Sequence, residues 1–198
     1  MTDEEIDGLL AFLRAAEALK GVLRSAHGSG GRQESTAEHS WRLALMAMVL
    51  ARGLGPLDMA RLLKLCLVHD LGEALHGDIP APEQASRQAE GQAGGQGGKA
   101  AQERADLATL TAPLPAPERA EILALWEEYE AGATREAALV KGLDKLETLL
   151  QHSQGRNPPG FDYAFNLDYG RARTAADPLL ARLRARLDAA TRGRMAGG

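Results

Sequence analysis

Leu139, Leu143, Leu146 and Leu150 recur three or four residues apart through LVKGLDKLETLLQ. Of the regular structures, only an α-helix brings such positions onto one face. The same spacing returns along the chain. Residues 134–153 read as one helix on this ground, and 116–131 as another, with Ile122, Leu125, Trp126 and Tyr129 on one side. Residues 3–20 carry Ile6, Leu9, Leu10, Leu13 and Leu19 in the same way. Composition agrees: Ala and Leu dominate, Val, Ile and Thr are scarce, and aromatics are 4% of a chain that is 44% apolar. That bias favours helix over sheet. The expected fold class is all-α, a helical bundle with no strands.

End signals divide the bundle. Ser35 and Glu38 in STAE form a capping-box pattern, with Thr36 as the other candidate cap. The helix they open runs through LALMAMVLA to about Arg52 and stops at GLGP. Asp58 caps the next, which is expected to end near Leu75. GDIPAPE reads as a loop, as do SAHGSGGRQE (25–34) and QGRNPPG. Asp177-Pro178 starts a last helix with Leu179, Leu180, Leu183 and Leu187. Residues 84–111 are polar and Ala-rich, interrupted by GQAGGQGG at 91–98. That tract is not a phosphate loop: Ala93 stands where the first glycine is needed, and Ala100 follows Lys99 where Ser or Thr would bind a metal. With no repeat and no dividing linker, the 198 residues are expected to form a single domain.

Several functions are disfavoured by the bulk properties. A net charge of −4 gives no basic field for nucleic acid or anionic membrane. The longest apolar run, 43–51, is too short to span a bilayer, and MTDEEID is unlike the basic start of a signal peptide. The single cysteine, Cys66, excludes a disulfide framework and suits a reducing cytoplasm; between leucines it reads as a core residue.

Polar residues inside apolar helices carry the functional information. LCLVHDLGEALHGDIP (65–80) ends an apolar run in His69 and Asp70, with Glu73 one turn beyond His69 on the same helical face. Two adjacent side chains cannot enclose a metal ion alone. His39 in ESTAEHSW and Asp144 in KGLDKLETLL are polar within apolar helices, and a carboxylate beside a core stripe is costly to bury unless paired or metal-bound. Singly, each has an ordinary explanation: His39 as a helix-start residue, Asp144 as the partner of Lys141 or Lys145. Together, two imidazoles and two carboxylates suit Mn²⁺, Co²⁺, Ni²⁺, Fe²⁺ or Zn²⁺ better than Mg²⁺, with room for a water of lowered pKa. Lys141, one turn before Asp144, is a candidate phosphate contact or a surface lysine. Four of the six Phe and Tyr residues, Phe161, Tyr163, Phe165 and Tyr169, cluster in FDYAFNLDYG and read as a small core under a loop, or else as a base-stacking surface.

The blocks LKGVLR (19–24), ESTAEHSWRLALMAM (34–48), LVHDLGEALHGDIPAP (67–82), LWEEYE (125–130) and VKGLDKLETLLQ (140–151) give the chain its resemblance to the HD-domain metal-dependent phosphohydrolases. Within that family it is most similar to the branch of bacterial 5′-deoxynucleotidases and eukaryotic HD domain-containing protein 2. The resemblance spans about 19–151, leaving 152–198 as a helical extension. It implies a metal site between helices with His39, His69, Asp70 and Asp144 as ligands. It also implies Glu73 as catalytic acid/base, Asp78 as a second functional carboxylate and Arg24 as a phosphate contact. A nucleotide substrate and a homodimer are further implications. The family's Trp beside that arginine has no counterpart in RSAH (24–27), where His27 is the candidate to stand in, so discrimination against the ribose 2′-OH is not carried over. The expected activity is removal of phosphate from nucleoside 5′-monophosphates. The alternatives are a phosphodiesterase acting on cyclic or dinucleotides, and a non-catalytic scaffold that dimerises through its Leu-rich faces.

Overall fold

A computed structural model of the protein describes residues 1–78 and 96–197. The chain opens with α1 (Asp3–Ala16), where Thr2 and Glu5 form a capping box, and tightens into a 3₁₀ turn at Glu17–Lys20. A hairpin follows, β1 (Leu23–His27) paired antiparallel with β2 (Gln33–Ser35). Then come α2 (Thr36–Leu54), α3 (Met59–Val68), α4 (Glu73–His76), α5 (Gln96–Leu110), α6 (Ala116–Ala131) and α7 (Arg135–Gln154). The short α8 (Tyr163–Asp168) and α9 (Arg171–Thr174) lead to α10 (Pro178–Ala196). The all-α expectation is borne out. The loop expected at GDIPAPE and the polar stretch before 96 lie largely outside the described residues.

α7 is the axis of the bundle. It packs against α2, α3, α6, α9, α10 and β1. Of its 20 residues, 12 are buried, more than one apolar stripe can supply. Leu139, Leu143 and Leu146 lie inside as expected, but Leu149 rather than Leu150 completes the buried set, joined by Val140, Glu147 and Gln151. Gly142 lets the C-terminal helices seat against this axis: a methyl there would lie 2.6 Å from Leu180 Cδ1 and 3.0 Å from the Arg173 carbonyl. The core gathers Leu43 and Ala47 of α2, Leu62 and Leu65 of α3, Trp126 of α6, and Leu180 of α10 around it. Leu65 is fully buried. Leu65→Ala should therefore cost about 2–5 kcal/mol in urea unfolding; a loss below about 1 kcal/mol would show that α3 is not clamped by this core.

Two expectations are corrected. The segment 25–34, expected as loop, largely forms the hairpin. Its strands lack β-branched residues, so nothing local marks them; tertiary contacts hold them instead. Gln151 of α7 donates to the His27 carbonyl, and the Arg156 amide donates to the Gly28 carbonyl at 3.0 Å. The helix capped by Asp58 ends at Val68, not near Leu75. The chain then turns through i→i+3 bonds, Leu71 N–H to Val68 and Glu73 N–H to Asp70, before α4. Gly72 sits in this turn because a Cβ there would lie 2.7 Å from the Glu103 carbonyl of α5. At the other boundaries local signals prevail. Ser35 caps α2, Gly55 at φ +77° ends it, Asp58 caps α3, and Asp177 with Pro178 opens α10. No described helix is long and apolar enough to cross a membrane.

Candidate metal centre and substrate cavity

Three helices bring four side chains together around His39. The Ser35 cap sets the first turn of α2 and so places His39 facing inward, fully buried. The end of α3 places His69 and Asp70, and the middle of α7 places Asp144. His39 Nε2 lies 3.3 Å from Asp144 Oδ1 and 3.8 Å from Asp70 Oδ2, and His69 Nε2 lies 3.0 Å from Asp70 Oδ2. Donor atoms of His39, His69 and Asp70 all lie within 4.8 Å of one another. The remaining Asp144 oxygen faces Lys145 Nζ at 2.8 Å and accepts from the Tyr129 hydroxyl at 3.3 Å.

The imidazoles are oriented from behind. His69 Nδ1 is 2.9 Å from the Cys66 carbonyl, which can only accept, so this nitrogen carries the proton. His39 Nδ1 donates to Glu147, a carboxylate that also accepts from Arg42 Nε at 2.6 Å. Both rings therefore turn Nε2 inward, and both Nε2 atoms are buried without a hydrogen-bond partner. Two lone pairs beside two carboxylates repel one another unless a cation, a proton or a metal ion, stands between them. Backing of a ligand imidazole by a carbonyl or carboxylate is the usual support for a metal-binding His. The residues present thus fit a divalent ion.

The electrostatics agree. Burial and Arg24 pull the His39 pKa down, but Glu147 and Asp144 outweigh them and carry it up to about 9. Burial raises the Asp70 carboxyl, yet His69 and His39 hold it well below the ordinary range. Lys145 and His39 likewise overcome burial at Asp144 and hold it low. The pocket is built for positive charge. Cys66 is inert in it, its thiol pushed up to about 12 by burial and Asp144.

A cavity of about 520 Å³ opens over this point, a size within the range of small-molecule sites. Arg24 of β1 enters from one wall, with Nη1 3.5 Å from Asp70 Oδ2 and Nη2 3.1 Å from Thr148 Oγ1. Glu73, at the first position of α4, is 3% exposed; burial, Asp70 and Asp78 raise its carboxyl to about 9. Asp78 lines the cavity half-buried. Lys141 also lines it, with Nζ 4.2 Å above the Tyr129 ring centroid and 3.5 Å from Glu130. His27 does not reach the cavity lining; its Nδ1 lies 3.1 Å from the Ser25 carbonyl, and Ser25 and Ala26 line the wall instead. The aromatic cluster divides. Phe161 packs against His152 and Tyr163 as a small core, whereas Phe165 and Tyr169, with centroids 5.3 Å apart, line the cavity.

Sequence reasoning named Lys145 as a partner for Asp144 but missed Glu147, Thr36, Lys99 and Thr148 as members of this environment. Glu147 was findable: it lies one turn beyond Asp144, an acid inside the same apolar helix. Lys99 and Thr36 carried no such mark.

These features define a helical protein with a mixed imidazole–carboxylate centre at the base of a polar cavity. The profile described as HD domain matches residues 16–183, and the chain belongs to that family. It is 35% identical to the 5′-deoxynucleotidase HDDC2 of Mus musculus over 158 residues, covering 77% of this chain and 74% of that one. To the Homo sapiens protein of the same name it is 36% identical over 148 residues, 74% and 67% of the two chains. Among solved structures, a predicted metal-dependent phosphohydrolase from Magnetospirillum magnetotacticum superposes with a TM-score of 0.78 at 30% identity, over 96% of this chain and 94% of that one.

Proposed function

We propose that this protein is a metal-dependent 5′-deoxynucleotidase, which hydrolyses deoxynucleoside 5′-monophosphates to nucleoside and phosphate. The observation that carries the reading is the pair of buried, unpartnered Nε2 atoms converging with Asp70 and Asp144 under a cavity that also holds Arg24 and Glu73. In this reading His39, His69, Asp70 and Asp144 hold a divalent ion, of which Mn²⁺, Co²⁺, Ni²⁺, Fe²⁺ or Zn²⁺ suits the N/O set. Such an ion supplies Lewis-acid polarisation of a phosphoryl oxygen and lowers the pKa of water.

The chain's own residues do the rest. Arg24 offers its guanidinium to the phosphate oxygens, where a planar, permanently charged donor is most useful. With a divalent ion beside it Glu73 is ionised, and as the carboxylate it takes the proton of the attacking water. Asp78, also in the lining, meets the leaving oxygen or a sugar hydroxyl, and Lys141 adds positive charge to the same lining. His27 stands outside the lining, and this reading assigns it no substrate contact. The C-terminal segment belongs to the same single domain: Arg184 donates to the carbonyls of Asn166, Leu167 and Tyr169, pinning the stretch that carries Phe165 and Tyr169. The reading extends to a cytoplasmic homodimer, consistent with one buried free thiol and with Trp41, Leu45, Met48 and Val49 exposed along α2.

A phosphate-release screen over nucleotides with Mn²⁺ or Co²⁺ tests this. Release from 5′-monophosphates, with deoxy substrates preferred, is the expected result. Activity confined to cyclic or dinucleotide diesters would make the protein a phosphodiesterase, and absence of metal uptake would make it a scaffold.

A further inference from the structure

Glu73 occupies the first position of a helix only 4 residues long, at the end of a turn, where little backbone holds its side chain. Yet each carboxylate oxygen has its own partner from a different element. Thr36, the first residue of α2 and fully buried, donates its hydroxyl to Glu73 Oε2 at 3.3 Å. Lys99, in the first turns of α5, sets its ammonium 3.5 Å from Glu73 Oε1. Lys99 is itself fixed by Glu103, one turn along the same helix, at 2.9 Å. The approach of α5 is set by Gly72, whose missing Cβ makes room for the Glu103 backbone.

We propose that Lys99 and Thr36 are positioning residues that clamp the Glu73 carboxylate in its proton-accepting orientation. The inference rests on the reading of Glu73 as the proton-transfer group. A general base must stand within hydrogen-bond reach of the proton it takes, and a side chain with three rotatable bonds meets that condition only when held. A carboxylate oxygen offers two lone pairs, so each Glu73 oxygen can keep its clamp and still accept from water. Charge requires the ammonium as well. Asp70, Asp78 and Glu103 line the same cavity, and Glu73 would be one more buried carboxylate among them. Lys99 supplies the offsetting charge, 3.5 Å from Glu73 Oε1. Burial pulls the Lys99 pKa down, but Glu103 and Glu73 outweigh it, so the ammonium stays charged.

The test uses the metal-loaded full chain with a deoxynucleoside 5′-monophosphate as substrate. Lys99→Met should lower kcat about 10- to 100-fold, and Thr36→Val less, with KM and bound metal unchanged; Lys99→Arg should restore most of the rate. In a Glu73→Gln background, Lys99→Met should add no further loss, because groups acting through one another are not additive. A kcat for Lys99→Met within about two-fold of wild type overturns the proposal. So does a loss confined to KM, which would make Lys99 a phosphate contact. Loss of metal or of thermal stability not recovered by Lys99→Arg overturns it too, leaving Lys99 a structural residue. The two levels fail separately. An inactive wild type defeats the proposed function, and an active Glu73→Gln enzyme defeats the reading of Glu73 as its proton-transfer group. An active wild type with a crippled Glu73→Gln and an unaffected Lys99→Met defeats only the clamp.

Discussion

Asp144→Ala is expected to strip the protein of bound metal and to lower kcat by at least about 10³-fold, since a coordinated ion contributes several kcal/mol to a phosphoryl transition state. Asp144 is the one member of the centre contributed by α7, and it faces His39 Nε2 at 3.3 Å from the far side of the site. Truncation leaves the imidazoles with Asp70 alone, and it leaves the Lys145 ammonium without its 2.8 Å partner, in a place where an unmatched charge repels a cation. The size of the effect comes from both: one ligand is lost and one positive charge is released. Metal content by elemental analysis, metal affinity by titration, and turnover with metal restored are the measurements. Asp144→Asn, which keeps shape and loses charge, separates ligation from packing and should resemble Asp144→Ala in metal affinity while unfolding closer to wild type. Full turnover in either variant would remove Asp144 from the centre.

Glu73→Gln should retain metal and KM and lose about 10²- to 10⁴-fold in kcat, the range of general acid–base contributions. It should also stabilise the metal-free protein above neutral pH. Burial, Asp70 and Asp78 raise the Glu73 carboxyl to about 9, against about 4.3 in an unfolded chain. Between those values the folded state keeps a proton that the unfolded state has released. The folded state therefore binds more protons, and stability falls as pH rises through that window. Glutamine has no proton to lose, so the variant escapes the decline. Thermal melts of the metal-free proteins should coincide near pH 4.5, while at pH 8 the variant should melt at least about 2 °C higher. Equal melting temperatures at both values would mean that Glu73 is not held in this environment. A side chain that lowers stability where it sits, and is needed there for turnover, is the usual exchange at a working site.

What the linear chain determined by itself were the features whose cause is local. The three- and four-residue spacing of apolar side chains dictated α1, α6 and α7 because only a helix gathers those positions. Ser35 with Glu38, Asp58, and Asp177 with Pro178 marked helix starts because a capping side chain acts within three residues of itself. His39, His69, Asp70 and Asp144 stood out because a polar group inside an apolar helix needs a partner, and in the structure His39 faces both Asp70 and Asp144 while His69 lies beside Asp70. Tertiary structure alone decided the rest. The hairpin forms where no strand propensity exists, because Gln151 of α7 and the Arg156 amide just past that helix donate to the carbonyls of His27 and Gly28. The helix after Asp58 breaks at Val68, and the turn that follows lies so close to the α5 backbone at Gly72 that there is room for no more than a hydrogen there. That break turns His69 and Asp70 onto α7 and sets Glu73 apart, between Thr36 and Lys99. Those partners are 37 and 26 positions away along the chain, and no local rule couples residues at such separations; only the approach of the helices does.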